Sequence, residues 1–227
     1  MSYEQQSFWA TARSDITLER CEDDATLWCT RVENRLGDSF EEISLVTGSD
    51  GALIQRKRFS QGSDSRRKEW IYSAGEIRRR RLEPERNSWR LTSDLRLDVP
   101  ASVTRPTDSL LLLHLASLEK MTAVYVHTDL NFYRVNIRRI GRDSLSIDAA
   151  LGLAGPLERE VDLVALSAQV VGEPRDKPDF ALLGLEGDLI IAFDTVTGVP
   201  LQIRGQAPRL GGVSIDLKSV TLRTAAP

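Results

Sequence analysis

The residues best suited to chemistry in this chain are cationic and aromatic, and they crowd into one stretch. Between Arg56 and Arg90 there are 12 Lys/Arg against 5 Asp/Glu, a local charge of +7. The remaining 18 basic and 28 acidic residues carry −10, so a basic segment sits on an acidic body. Arg78-Arg79-Arg80-Arg81 is its sharpest part. In a strand, the two-residue period sends two of these guanidinium groups to each side of a sheet, and neither side can then be a dry core there. Phe59, Trp70, Tyr72 and Trp89 are interleaved with the charge, a mixture that suits stacking on bases, an interfacial surface or a sugar. Arg56, Arg58, Trp70, Tyr72, Arg78, Arg79, Arg80, Arg81 and Trp89 are therefore the expected ligand-binding residues. The alternative is a solvated sheet face whose arginines pair with acids of neighbouring strands and discourage edge aggregation.

Catalytic patterns are weaker. Gly37-Asp38-Ser39-Phe40 has the order of the nucleophile segment of GDS-type esterases, but the downstream Asp-x-x-His is missing. The only histidines are His114 and His127, and neither has an Asp three residues before it. Turn chemistry alone favours Gly, Asp and Ser at such a place. A zinc site needs three or four converging ligands, and two histidines in separate elements with cysteines far upstream do not supply them. His114 shares a leucine-rich helical face and is expected in the core or at its rim, while His127 closes a strand before a turn. Neither a phosphate-cradling loop nor a dinucleotide fingerprint occurs. No catalytic residue, metal or cofactor is expected, and the protein reads as a non-enzyme.

The elements that would position the basic segment are strands. Short alternating runs bounded by Gly, Asp, Asn, Ser or Pro are predicted at 16–21, 27–32, 42–46, 52–59, 69–73, 77–82 and 88–97. More follow at 122–128, 132–140, 144–147, 161–171, 188–193, 201–204 and 213–222. Asp50-Gly51 favours a tight hairpin because glycine tolerates positive φ. A meander is the simplest connection. The exception is the leucine-rich stretch after Pro106, where Thr107 or Asp108 can cap one short helix at about 108–119. Leucines occupy most of its circumference, so it should be buried on several sides. Residues 173–179 form the best loop candidate.

The fold class expected is mainly all-β: a large curved antiparallel sheet or open half-barrel wrapping one short helix, as a single unit over residues 1–227. Apolar residues at 41 % and charged residues at 28 % are ordinary for a folded chain. The longest apolar run, Leu110 to Leu118, is about half the length a membrane-spanning helix needs. Cys21 and Cys29 flank the turn Glu22-Asp23-Asp24-Ala25; a cross-strand disulfide is geometrically open to them, but the simpler reading is two ordinary half-buried thiols.

Three segments, taken in order, resemble a known family. They are Asp50-Gly51-Ala52-Leu53 leading into the arginine-rich strands with Trp70 and Tyr72; Leu97-Asp98-Val99-Pro100 followed by Pro106-Thr107-Asp108-Ser109-Leu110; and Phe193-Asp194 with Gly198-Val199-Pro200-Leu201, ending in Gly211-Gly212-Val213-Ser214. The order resembles an uncharacterised family of bacterial envelope-associated all-β proteins, a domain of unknown function. These are similar in outline to periplasmic lipoprotein carriers that hold acyl chains in an open β half-barrel. The resemblance implies a carrier for a lipid-like or amphiphilic anionic ligand in the bacterial envelope. The N-terminus lacks the basic start and apolar stretch of a secretory signal, so the expected place is the periplasm if a leader has been removed and the cytoplasm otherwise. The alternatives are a cytoplasmic anion- or nucleic-acid-binding protein using strands 56–90, which the net charge of −3 disfavours, or an assembly subunit pairing through sheet edges.

Overall fold

The computed structural model describes residues 1–6, 11–62, 65–118, 121–208 and 210–221. Its first eight strands are β1 (Ser2–Gln6), β2 (Thr11–Arg20), β3 (Trp28–Leu36), β4 (Ser39–Thr47), β5 (Leu53–Gln61), β6 (Arg66–Ser73), β7 (Glu76–Glu85) and β8 (Ser88–Asp98). After a connection come β9 (Ala123–His127), β10 (Phe132–Ser146), β11 (Glu158–Val170), β12 (Glu186–Asp194), β13 (Pro200–Ala207) and β14 (Gly211–Ser219). All pair antiparallel in one open sheet of order β8-β7-β6-β5-β4-β3-β2-β1-β14-β13-β12-β11-β10-β9. The expected meander is thus present twice, and the two meanders join where β1 pairs with β14, Tyr3 lying opposite Leu217.

Two strands differ from expectation for physical reasons. Residues 132–140 and 144–147 form one strand, β10, because the register shift between Arg139 and Gly141 absorbs the break; Gly141 takes φ 151°, which side chains resist. Strand β1 carries no apolar alternation. Its pairing with β2 and β14, and the burial of Tyr3, come from tertiary neighbours rather than local pattern. Of the last expected strand, Leu222 lies outside the described residues.

The sheet bends back on itself. Ile16, Val32, Ile43 and Leu45 of β2–β4 share one buried core with Val126, Val164, Ile191, Ile203 and Leu217 of β9–β14. Leu110 to Leu113 fill the space between. The helix is shorter than expected: a 3-10 turn, Ser109–Leu111, runs into α1 (Leu112–Leu115). Asp108 is the cap, its Oδ1 accepting the Leu110 N–H at 2.9 Å, whereas the Thr107 hydroxyl donates to the Gly51 carbonyl. Beyond Leu115 the Ser117 hydroxyl bonds the His114 carbonyl at 2.6 Å, a local bond that competes with helix continuation. Glu119, the expected helix end, lies outside the described residues. Leu110 to Leu113 are buried as expected, but His114 is exposed. No described helix is long and apolar enough to cross a membrane.

Cys21 and Cys29 are disulfide-bonded, which corrects the reading of two ordinary thiols. The chain leaves the β2–β3 ladder at Arg20, and the Cys21 N–H still bonds the Leu27 carbonyl. That curl brings Cys21 to a Cα separation of 5.1 Å from Cys29, within bonding range. A sequence separation of 8 closes a short loop, for which chain entropy gives about 2.5 kcal/mol of stabilisation. Cys29→Ser is accordingly expected to lower the urea-unfolding free energy by about that amount. The same loss should appear when the native protein is titrated under a reductant, and no reductant effect on the midpoint would contradict the bridge.

Candidate functional site

Strand pairing sorts the basic segment between two faces. In β7, Arg78 and Arg80 lie on the outer face, where Asp94 of β8 holds Arg78 at 2.6 Å and Arg80 at 3.7 Å. Arg79 and Arg81 lie on the inner face, so the run divides two and two as its period requires. Trp89 stands on the outer face too. It meets Phe59 edge-on at 5.9 Å, and the Arg67 guanidinium covers its ring at 4.2 Å. The inner face carries two cross-strand rows, Arg56-Trp70-Arg79 and Arg58-Lys68-Arg81. Arg56, Arg58, Trp70, Tyr72, Arg79 and Arg81 are therefore brought together, while Arg78, Arg80 and Trp89 face away from them.

Burying this many cations requires anions, and one turn of the chain supplies them. The turn between β9 and β10 reaches across from the far end of the sheet. Asp129 accepts two bonds from Arg79, at 2.6 and 3.0 Å, and a third from Lys68. The Asp129 carbonyl accepts the Trp70 indole N–H at 3.1 Å. Arg56 donates to the Thr128 carbonyl at 3.0 Å, pairs with Asp108 at 3.2 Å and lies 4.7 Å over the Trp70 ring. Trp70 is fully buried and Lys68, Arg79 and Arg56 nearly so. The inner half of the arginine cluster is thus a structural clasp. Burial alone would raise the Asp129 carboxyl, but the bonds from Arg79 and Lys68 hold it down to about 2.

The turn is itself tied to the expected loop 173–179. Asp179 Oδ1 accepts from Thr128 Oγ1 at 2.7 Å, Asn131 Nδ2 at 3.1 Å and the Tyr133 hydroxyl at 3.1 Å. The Arg175 N–H donates to Asn131 Oδ1 at 2.8 Å.

Between the sheet halves, where the turn meets strands β2 to β5, lies a cleft of about 840 Å³. Asn34, Glu41, Arg56, Arg58, Asp108 and His127 line it, with Ile43, Leu110 and Leu183 as an apolar wall. Arg58 is held by Glu41 at 2.6 Å. His127 is fully buried; burial first, then the Arg56 charge, pushes its pKa down to about 3, so it is neutral at ordinary pH. Its Nδ1 lies 2.9 Å from the hydroxyl of Tyr72, whose pKa burial drives far up. With Tyr72 donating to Nδ1, the ring proton sits on Nε2.

What this arrangement can do is bind. His127 stays unprotonated and Asp129 stays ionised across the neutral range, so neither offers a proton to a substrate near pH 7. Among the described residues no three His, Cys, Asp or Glu side chains converge as a metal site. Sequence reasoning passed over Asn34, Glu41, Asp108, Asp129 and Asp179. Each sits in an ordinary polar strand, cap or turn, and only the bend of the sheet assembles them. No family model, curated protein or solved structure matches this chain.

Proposed function

We propose that the protein is a non-enzymatic binding or carrier protein whose ligand is an amphiphile of the bacterial envelope, received in the cleft between the sheet halves. The observation that carries this reading is the cleft itself. About 840 Å³ suits a small ligand, and its walls combine one apolar side with polar groups fixed by the surrounding clasp. The Cys21–Cys29 disulfide supports an oxidising compartment such as the periplasm, and the resemblance of the three segments to envelope-associated proteins supports the same place. Leu110 to Leu113 already fill the core, so the apolar part of the ligand rests against the Ile43, Leu110 and Leu183 wall instead of entering the interior.

The test is native mass spectrometry of protein taken from its own source, with displacement of a fluorescent apolar probe from the purified chain. A co-purifying amphiphile that displaces the probe is the expected result. Neither bound mass nor probe binding would overturn the reading. The Arg67, Phe59 and Trp89 stack on the outer face favours a second reading, a base- or anion-binding surface. Salt-sensitive oligonucleotide binding that Trp89→Ala abolishes would support it in place of the first. Edge-to-edge assembly has less support, since edge strand β8 carries a bulge against β7 between Arg81 and Leu82, a feature that blunts sheet edges.

A further inference from the structure

Accepting the cleft as the binding site, on which everything here rests, its electrostatics narrow the ligand. The lining holds five arginines (Arg13, Arg35, Arg56, Arg58, Arg66) and five carboxylates (Glu41, Asp108, Asp129, Asp176, Asp179), and is therefore balanced in charge. The inner cations are also matched one by one: Arg58 by Glu41 at 2.6 Å, and Arg56 by Asp108 at 3.2 Å. An anion entering here meets a carboxylate beside every cation it approaches. It would lose its water without gaining an unshared positive charge. A cation meets the reverse.

Hydrogen-bonding capacity, in contrast, is left over. Four buried polar atoms of lining residues have no hydrogen-bond partner among the described residues: Asn34 Oδ1, Asp108 Oδ2, Arg56 Nε and His127 Nε2. The first two accept. The Arg56 N–H donates, and so does His127 Nε2 when Tyr72 occupies Nδ1. Leaving buried polar atoms unpaired is costly, so such a mixed set is expected to have a use. A group that offers donor and acceptor at every position, and that carries no charge, answers both requirements. We propose that the cleft recognises an uncharged polyhydroxylated group, a saccharide moiety, whose hydroxyls pair with these four atoms while its C–H face rests on the apolar wall.

Titration calorimetry on the whole chain can decide, using octyl β-glucoside, octyl phosphate and octyltrimethylammonium below their micelle-forming concentrations. The tail is shared, so only the head group is compared. Octyl glucoside should bind about tenfold or more tighter than either charged analogue, the scale of one or two well-made hydrogen bonds. Asn34→Ala should cost it about tenfold with the melting temperature preserved. Glu41→Gln frees Arg58 from its partner and should shift preference toward the phosphate head, a change that a general loss of folding would not produce. Octyl phosphate binding as tightly as the glucoside in the native chain would overturn the saccharide assignment and leave the cleft standing. Glucoside binding indifferent to Asn34→Ala and Glu41→Gln would place the sugar elsewhere and overturn it as well. If no probe binds at all, the proposed function itself fails.

Discussion

Asp129→Ala is expected to lower the unfolding free energy by about 3 kcal/mol or more, read as a fall in the urea midpoint without a change in m-value. The substitution deletes one carboxylate but strands two cations, Lys68 and Arg79, whose side chains are only 10 % and 8 % exposed. In so dry a place the lost attraction is not recovered from water. The clasp also holds the β9–β10 turn against β5–β7, so the loss should propagate to amide exchange in that turn and in loop 173–179. Asp94→Ala supplies the control. It likewise removes a carboxylate shared by two arginines, Arg78 and Arg80, but on the solvated face, and it should barely move the midpoint. Equal effects from the two substitutions would show that burial of the Asp129 clasp does not matter.

The second large effect is a loss of stability in mild acid. The folded chain keeps His127 neutral down to about pH 3, whereas the unfolded chain protonates it near 6.5. Below 6.5 the unfolded state therefore binds the extra proton. Stability is complete above that pH and declines as pH falls, by at most about 1.4 kcal/mol per pH unit. The Asp129 contribution has its own, lower window: with a folded value of about 2 against an ordinary 3.8, it is present above 3.8 and disappears toward 2. Denaturant unfolding at pH 7 and pH 4.5 should thus differ by about 2 to 3 kcal/mol in the native chain. His127→Gln, which can still bond Tyr72, should remove most of that difference. Parallel decline of native chain and variant would assign the acid sensitivity to other groups.

Much of the architecture was legible in the residue pattern because antiparallel strands announce themselves locally. Alternation, the Asp50-Gly51 turn and the two-and-two division of Arg78 to Arg81 follow from a two-residue period. The disulfide was open but not decided, since it depends on how far the chain curls beyond Arg20. The cleft was much less legible. Charge density drew attention to Arg56 through Arg90, and half of that density proved to be a clasp or an outer face. The carboxylates that neutralise it come from a turn and a loop with no distinguishing composition, and Asp129 stands 50 residues from Arg79 in sequence. Local pattern carries no record of such a meeting. What it does carry is a warning that a cluster of one charge folded into a sheet must find its opposite somewhere.

The seam between β1 and β14 bears on how this protein is made. Tyr3 cannot reach Leu217 until everything between them has left the ribosome. Until then the early meander waits with one flank of β1 unzipped, its N–H and C=O groups open to any passing strand. Maturation therefore hinges on a late, long-distance closure rather than on a steady accumulation of hairpins. A chain emerging slowly, or crossing a membrane before it closes, would depend on a chaperone to shield that flank.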